Sequence, residues 1–198
     1  MIKEKILFKI KKCILASNEN ISDIKLEEIM YGIEGIYLTL IKIIIILAIS
    51  LLLHIFKETI FLLILFNIIR FVSFGAHTKD STSCLILSLA SFIGLAFLSK
   101  YIYLNFYIET IIKIVLLTII ILYAPADTSK RPIISKKRRI IYKISSIMIT
   151  IIYFILNLII KDNTIDNLLI FSILLESIMI LPVTYKLLGV SYNNYKKY

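Results

Sequence analysis

The chain has 198 residues, 59% of them hydrophobic, with a mean hydropathy of +0.91 and a formal net charge of +10. Soluble domains carry about 45–50% apolar residues, and the excess here comes in long blocks, which excludes an ordinary soluble domain. The basic residues cluster between those blocks without the interleaved aromatics of a nucleic-acid groove, so their partners are expected to be anionic lipid headgroups rather than nucleic acid.

Residues 1–34 are amphipathic. Ile2, Ile6, Ile10 and Cys13 recur at helical spacing with Lys3, Lys5, Lys9, Lys11 and Lys12 between them, and Ile24, Ile29, Met30 and Ile33 stand against Lys25, Glu27 and Glu28. Both patterns suit helices lying on a membrane surface, and equally a soluble helical hairpin. Charge through Lys12 with no apolar segment and cleavage site behind it predicts no removable leader.

Six apolar blocks follow, at 36–56, 59–75, 84–104, 108–124, 140–160 and 165–185, each near the roughly 17–25 residues of a spanning helix. The expected fold is an all-α integral membrane protein. About six transmembrane helices would follow amphipathic interfacial helices, with an interfacial segment over 1–34 and a transmembrane domain over 35–198. The second block is one of the two shortest and contains Arg70, so it is expected to tilt or to end early in a re-entrant loop.

Basic residues alternate along the links. Residues 1–34, the 70–84 link (Arg70, Lys79), the 125–139 link (Lys130, Arg131, Lys136, Lys137, Arg138, Arg139) and the C-terminus (Lys186, Lys196, Lys197) are basic, whereas the other links hold Lys57, Lys100 and Lys161 singly. Excess Lys and Arg mark cytoplasmic links, which predicts both termini and both basic links in the cytoplasm.

The chemistry concentrates in residues 67–84, Asn-Ile-Ile-Arg-Phe-Val-Ser-Phe-Gly-Ala-His-Thr-Lys-Asp-Ser-Thr-Ser-Cys. A thiolate is a strong nucleophile, and a histidine near neutral pH can take the thiol proton. His77 and Cys84 on one continuous helix would lie about 10 Å apart along its axis, too far to pair. Asp80, Ser81, Thr82 and Ser83 are capping residue types ahead of an apolar helix, so Cys84 is expected in that helix's first turn, where the dipole favours negative charge. His77 would then sit in the preceding loop, which Gly75 allows to fold back. Arg70 either supports an oxyanion or a substrate carboxylate, or snorkels as a topology anchor. The bland reading of the pair is a loop histidine and a small buried thiol.

The pattern Arg70 … Gly75-Ala76-His77 … Cys84 resembles the accessory gene regulator B (AgrB) family of membrane peptidases. Tyr31-Gly32-Ile33-Glu34 ahead of the first span is similar to that family's entry segment. Tyr123-Ala124-Pro125-Ala126-Asp127-Thr128 followed by Lys130-Arg131-Pro132-Ile133 is similar to its central basic loop. The resemblance runs in order through nearly the whole chain, with one departure: Phe74 stands where the family often has the first of two glycines. The resemblance implies a cysteine endopeptidase that processes the precursor of a cyclic quorum-sensing peptide. Cys84 would be nucleophile and His77 base and acid, with Arg70 and Gly75 supporting. An acyl-enzyme thioester would be closed by an internal Cys or Ser into a thiolactone or lactone. It also implies a homodimer and no cofactor.

Glu176, alone in the last apolar block, is expected to orient His77, to pair with Lys113, Lys42 or Arg70, or to glue helices together. Asp80 is expected to cap its helix, with orientation of His77 the alternative, and Asp127 to be a turn residue. His54 is expected at the outer interface, Lys42 and Lys113 to snorkel or pair, and Cys13 to be a small residue on the amphipathic face. The 130–139 basic cluster sets topology or binds an acidic precursor tail. Two separated histidines and two separated cysteines make no metal-ligand set. The rival functions are a small peptide exporter, in which Cys84 is dispensable, and a non-catalytic membrane scaffold.

Overall fold

A computed structural model describes residues 2–17, 21–78, 80–128, 132–160 and 162–197, with backbone only at 2, 3 and 197. Lys79, Lys130, Arg131 and Lys161, used above to read the topology, lie outside the described residues. The elements are α1 (Ile2–Ser17), α2 (Asp23–Leu52), α3 (Phe56–Ser73), α4 (Ser81–Ser99), α5 (Phe106–Tyr123), α6 (Lys136–Ile159), α7 (Asn163–Ile180) and α8 (Pro182–Leu187), then a 3₁₀ turn at Asn194–Lys197. Among the described residues no strand forms, and one isolated parallel bridge joins Phe74 to Ala126. The all-α membrane architecture is as expected.

The chain divides into two compact units, 1–45 and 46–198. In the first, α1 leaves Leu7, Ile10 and Ile14 half-buried, a stripe at helical spacing, and exposes Lys5, Lys9, Lys11, Lys12 and Cys13. The stretch 24–33 is not a separate surface helix. It is the start of α2, whose 30 residues span about 45 Å at 1.5 Å per residue, against about 30 Å of bilayer hydrocarbon.

In the second unit α7 is the central helix. It packs against α3, α4, α5, α6 and α8, and from Asn167 to Ser177 nearly every side chain is buried. A helix apolar on all sides belongs inside a bundle. It ends at Ile180 because Pro182 cannot continue it, and Pro182 instead opens α8. Among the described residues five helices, α2, α4, α5, α6 and α7, are long and apolar enough to cross a membrane, one fewer than the six apolar blocks suggest. The helix of the second apolar block, α3, is not among them: its 18 residues carry Lys57, Glu58 and Arg70, and its main partner is α7.

The links gather at two ends of this unit. At one end Lys100 bridges Glu58 at 3.3 Å, and Asn163 and Asn167 donate to the Ile102 carbonyl at 2.9 and 2.7 Å. At the other, Phe74 meets Ala126, and Tyr185 Oη donates to the carbonyls of Ala126 and Asp127 at 2.9 and 3.0 Å. This is the alternation the basic residues imply. Lys113 pairs locally, with Glu109 at 2.6 Å and with Asn157.

Candidate functional site

The site begins where α3 stops. The Phe74 N–H returns to the Arg70 carbonyl at 3.0 Å with φ +62°, and Gly75 follows at φ +115°. These left-handed angles turn the chain sharply off the helix. Three backbone bonds then fix the turn: Gly75 N–H to the Ala126 carbonyl at 2.8 Å, Ala126 N–H to the Ser73 carbonyl at 2.9 Å, and Ala76 N–H to the Met179 carbonyl at 2.9 Å. Gly75 and Ala76 are buried, and His77 emerges exposed.

Arg70, in the last turn of α3, organises this turn. Its Nη2 donates to the carbonyls of Gly75 at 3.1 Å and Ala76 at 2.7 Å and lies 3.4 Å from His77 Nε2. Its Nη1 donates to Glu176 Oε2 at 3.4 Å. A guanidinium is a fixed fork of donors with no acceptor, which suits it to gathering carbonyls and a carboxylate at once. Of the partners expected for Glu176, the structure selects Arg70. A Cβ at Gly75 would strike Arg70 Nη1 and come within 3.0 Å of the Met179 carbonyl, so the glycine is required for space as well as for angle.

Cys84 lies in the first turn of α4, half-buried, its N–H bonded to the Asp80 carbonyl at 3.2 Å. Asp80 is the N-cap, its carboxylate accepting the Ser83 N–H at 2.8 Å. Hydrogen bonding from Ser83, by its side chain first and its backbone N–H second, holds the Asp80 carboxyl below its ordinary pKa. Neither Cys84 nor Cys13 is in a disulfide. The structure thus brings Arg70, Gly75 and His77 together and sets Cys84 at the positive end of α4.

Asp127 is more than a turn residue. Its carboxylate accepts the N–H groups of Asn194 at 2.9 Å, Tyr195 at 2.8 Å and Ile133 at 3.3 Å, tying the C-terminal turn to the 124–128 link. Lys136, Lys137 and Arg138 are exposed in the first turn of α6, and Arg139 lies over the Tyr195 ring. A groove of about 560 Å³ lined by Phe74, Pro132, Ile133, Ile134, Ser135, Arg138 and Tyr142 opens beside the turn. Sequence reasoning missed Tyr185, since a tyrosine ending an apolar block reads as an interfacial residue. It also missed the Ser73–Ser146 hydroxyl bond at 2.9 Å between α3 and α6, since serines in spans give no partner signal.

Fold and site together define a multi-pass, all-helical membrane protein whose polar centre is gathered around Arg70 at one end of its bundle. Comparison with known sequences narrows that class. The family model described as accessory gene regulator B matches residues 9–180. An AgrB-like protein of Clostridium acetobutylicum is 34% identical, covering 88% of this chain and 84% of its own length. The accessory gene regulator protein B of Staphylococcus intermedius is 30% identical, covering 85% and 89%, and an AgrB-like protein of Listeria welshimeri is 32% identical, covering 86% and 84%. No solved structure matches the chain. The chain belongs to the accessory gene regulator B family, which places it in the agr quorum-sensing system.

Proposed function

We propose that the protein is a membrane-embedded cysteine endopeptidase that removes the C-terminal tail of a quorum-sensing peptide precursor and promotes its cyclisation. The observation that carries this reading is the placement of Cys84 in the first turn of α4, just after a tightly held turn that presents His77 to solvent. Cys84 Sγ attacks the scissile carbonyl as His77 takes the thiol proton, and His77 returns that proton to the departing amine of the tail. The resulting thioester is attacked by an internal Cys or Ser of the precursor, which closes the ring and releases Cys84. Ring closure competes with hydrolysis, so an interfacial site that limits water favours it. The groove beside Phe74, with Arg138 at its edge, is a fitting seat for an acidic tail.

In this reading both termini and the Arg70–Cys84 loop face the cytoplasm, where a newly made precursor arrives, and the protein works as a homodimer. The test is co-expression with a tagged candidate precursor, such as a short, acidic-tailed peptide encoded beside the gene. Cys84→Ala and His77→Ala are each expected to abolish tail release. Cleavage unchanged in both variants would end the peptidase reading and favour a peptide exporter.

A further inference from the structure

Glu176 is fully buried in the central helix α7. A carboxylate inside a spanning helix is costly unless something needs it there. Its Oε2 meets Arg70, and its Oε1 has no hydrogen-bond partner among the described residues. A carboxylate placed only to glue helices would be expected to use both oxygens. This one is spent on a single arginine, and that arginine in turn contacts every residue of the Gly75–His77 turn.

We propose that Glu176 is a positioning residue, which through Arg70 fixes the Gly75–His77 turn and balances the guanidinium charge facing His77. The proposal rests on the peptidase reading for its consequence in catalysis, and on geometry alone for its electrostatics. Arg70 is an obligate donor and always charged, so the imidazole nitrogen turned toward it is the one bearing a lone pair. Arg70 therefore sets the orientation of the ring and opposes its protonation, and Glu176 moderates that opposition. Among the described residues, the charged and titratable groups around the turn are Arg70 of α3, Glu176 of α7, Tyr185 of α8, Asp127 of the 124–128 link, Tyr142 of α6 behind Phe74, and Asp80 and Cys84 at the start of α4. Of these, Arg70 and Glu176 are the ion pair whose two members can be neutralised separately.

The chain has two histidines, His54 and His77, so His54→Gln leaves one imidazole to follow. With ring-labelled histidine, NMR titration of the full-length protein in detergent micelles reads His77 directly. Glu176→Gln keeps the shape and removes the charge, and is expected to move the His77 midpoint down by roughly half a pH unit or more. Arg70→Gln is expected to move it up, and the double variant to lie between the two. In the co-expression assay Glu176→Gln is expected to slow tail release about tenfold, and in membranes the acid limb of its pH–rate profile should move the same way as the NMR midpoint. A midpoint identical in the wild type, Arg70→Gln and the double variant overturns the proposal, and that comparison stands even if Glu176→Gln alone fails to accumulate. Retained cleavage in Cys84→Ala with the midpoints moving as stated would overturn the peptidase reading alone.

Discussion

Phe74 has φ +62°, a backbone region that L side chains rarely occupy and glycine fills freely. This is the position where the family pattern often carries a glycine. What holds the phenylalanine there is its ring, packed edge-on against Tyr142 with centroids 5.0 Å apart. Backbone strain of this kind costs about 1–3 kcal/mol, and an edge-to-face pair returns about 0.5–1.5 kcal/mol beyond its burial. The neighbouring Gly75 has no such freedom. Gly75→Ala must both strain φ +115° and displace Arg70. We expect it to lower stability by about 1–3 kcal/mol, read by thermal unfolding in detergent, and to abolish tail release. A stable Gly75→Ala variant that cleaves normally would show that Arg70 is free to move. Tyr185 makes its contribution through one hydroxyl aimed at two carbonyls, and its burial raises its pKa. Tyr185→Phe should cost about 1 kcal/mol, seen as a lower midpoint in the same unfolding measurement. The residue types of the site were legible in the sequence: a histidine, a thiol, an arginine and a glycine within 15 positions. The Met179 carbonyl was not, because it meets Ala76 from more than 100 residues away, and neither was Tyr185, whose hydroxyl reaches the Ala126 and Asp127 carbonyls 59 and 58 residues earlier in the chain.

At the scale of elements, α4 begins where its capping residues say it should. The Asp80 carboxylate satisfies the Ser83 N–H, one of the donors that a helix start leaves open. Because the Ser83 side chain and N–H together depress the Asp80 pKa in the folded state, the contribution of this cap to helix stability is fully present above the ordinary carboxylate pKa. It is lost as pH falls through the lowered folded value. Hydrogen exchange at Ser83 and Cys84 should therefore quicken in Asp80→Ala at neutral pH, and in the wild type only under strong acid. Equal protection in variant and wild type at neutral pH would mean that the cap does not set the start of α4. The boundary between 34 and 35 suggested by the amphipathic pattern falls inside α2, a single helix from Asp23 to Leu52. Amphipathic character changes along a helix without breaking it when no Pro or cap geometry intervenes; α2 contains no Pro, and Gly32 and Gly35 are carried inside it.

At the scale of the whole molecule, the arrangement of links at two ends turns the charge pattern into a topology with a test. Reporter fusions in the 125–139 link are expected to read cytoplasmic and fusions at 101–105 to read external; the reverse result would invert the proposed orientation. The C-terminus is also part of the site's support. Asp127 accepts the N–H groups of Asn194 and Tyr195, and the adjacent Ala126 carbonyl receives Gly75. Truncation after Val190 leaves that carboxylate with the Ile133 N–H as its remaining described donor. We expect such a chain to insert into the membrane normally and to process precursor several-fold more slowly, since partial loss of a buried hydrogen-bonded anchor loosens whatever it holds. Wild-type processing by the truncated chain would remove the C-terminus from the site's support.

The sequence by itself determined the membrane class, the order of the apolar helices, the alternation of links, and the turn-then-helix placement of His77 and Cys84. Each of these follows from local quantities: block length against bilayer thickness, basic residues per link, and capping types ahead of an apolar run. Only the tertiary structure decided which helix stands at the centre, that Glu176 of that helix serves Arg70, and that the 124–128 link and the C-terminal turn brace Gly75. Those depend on which helix faces meet. In a chain where Ile and Leu cover every face, the apolar pattern does not tell lipid from neighbour, so the few polar partners emerge only once the helices are packed.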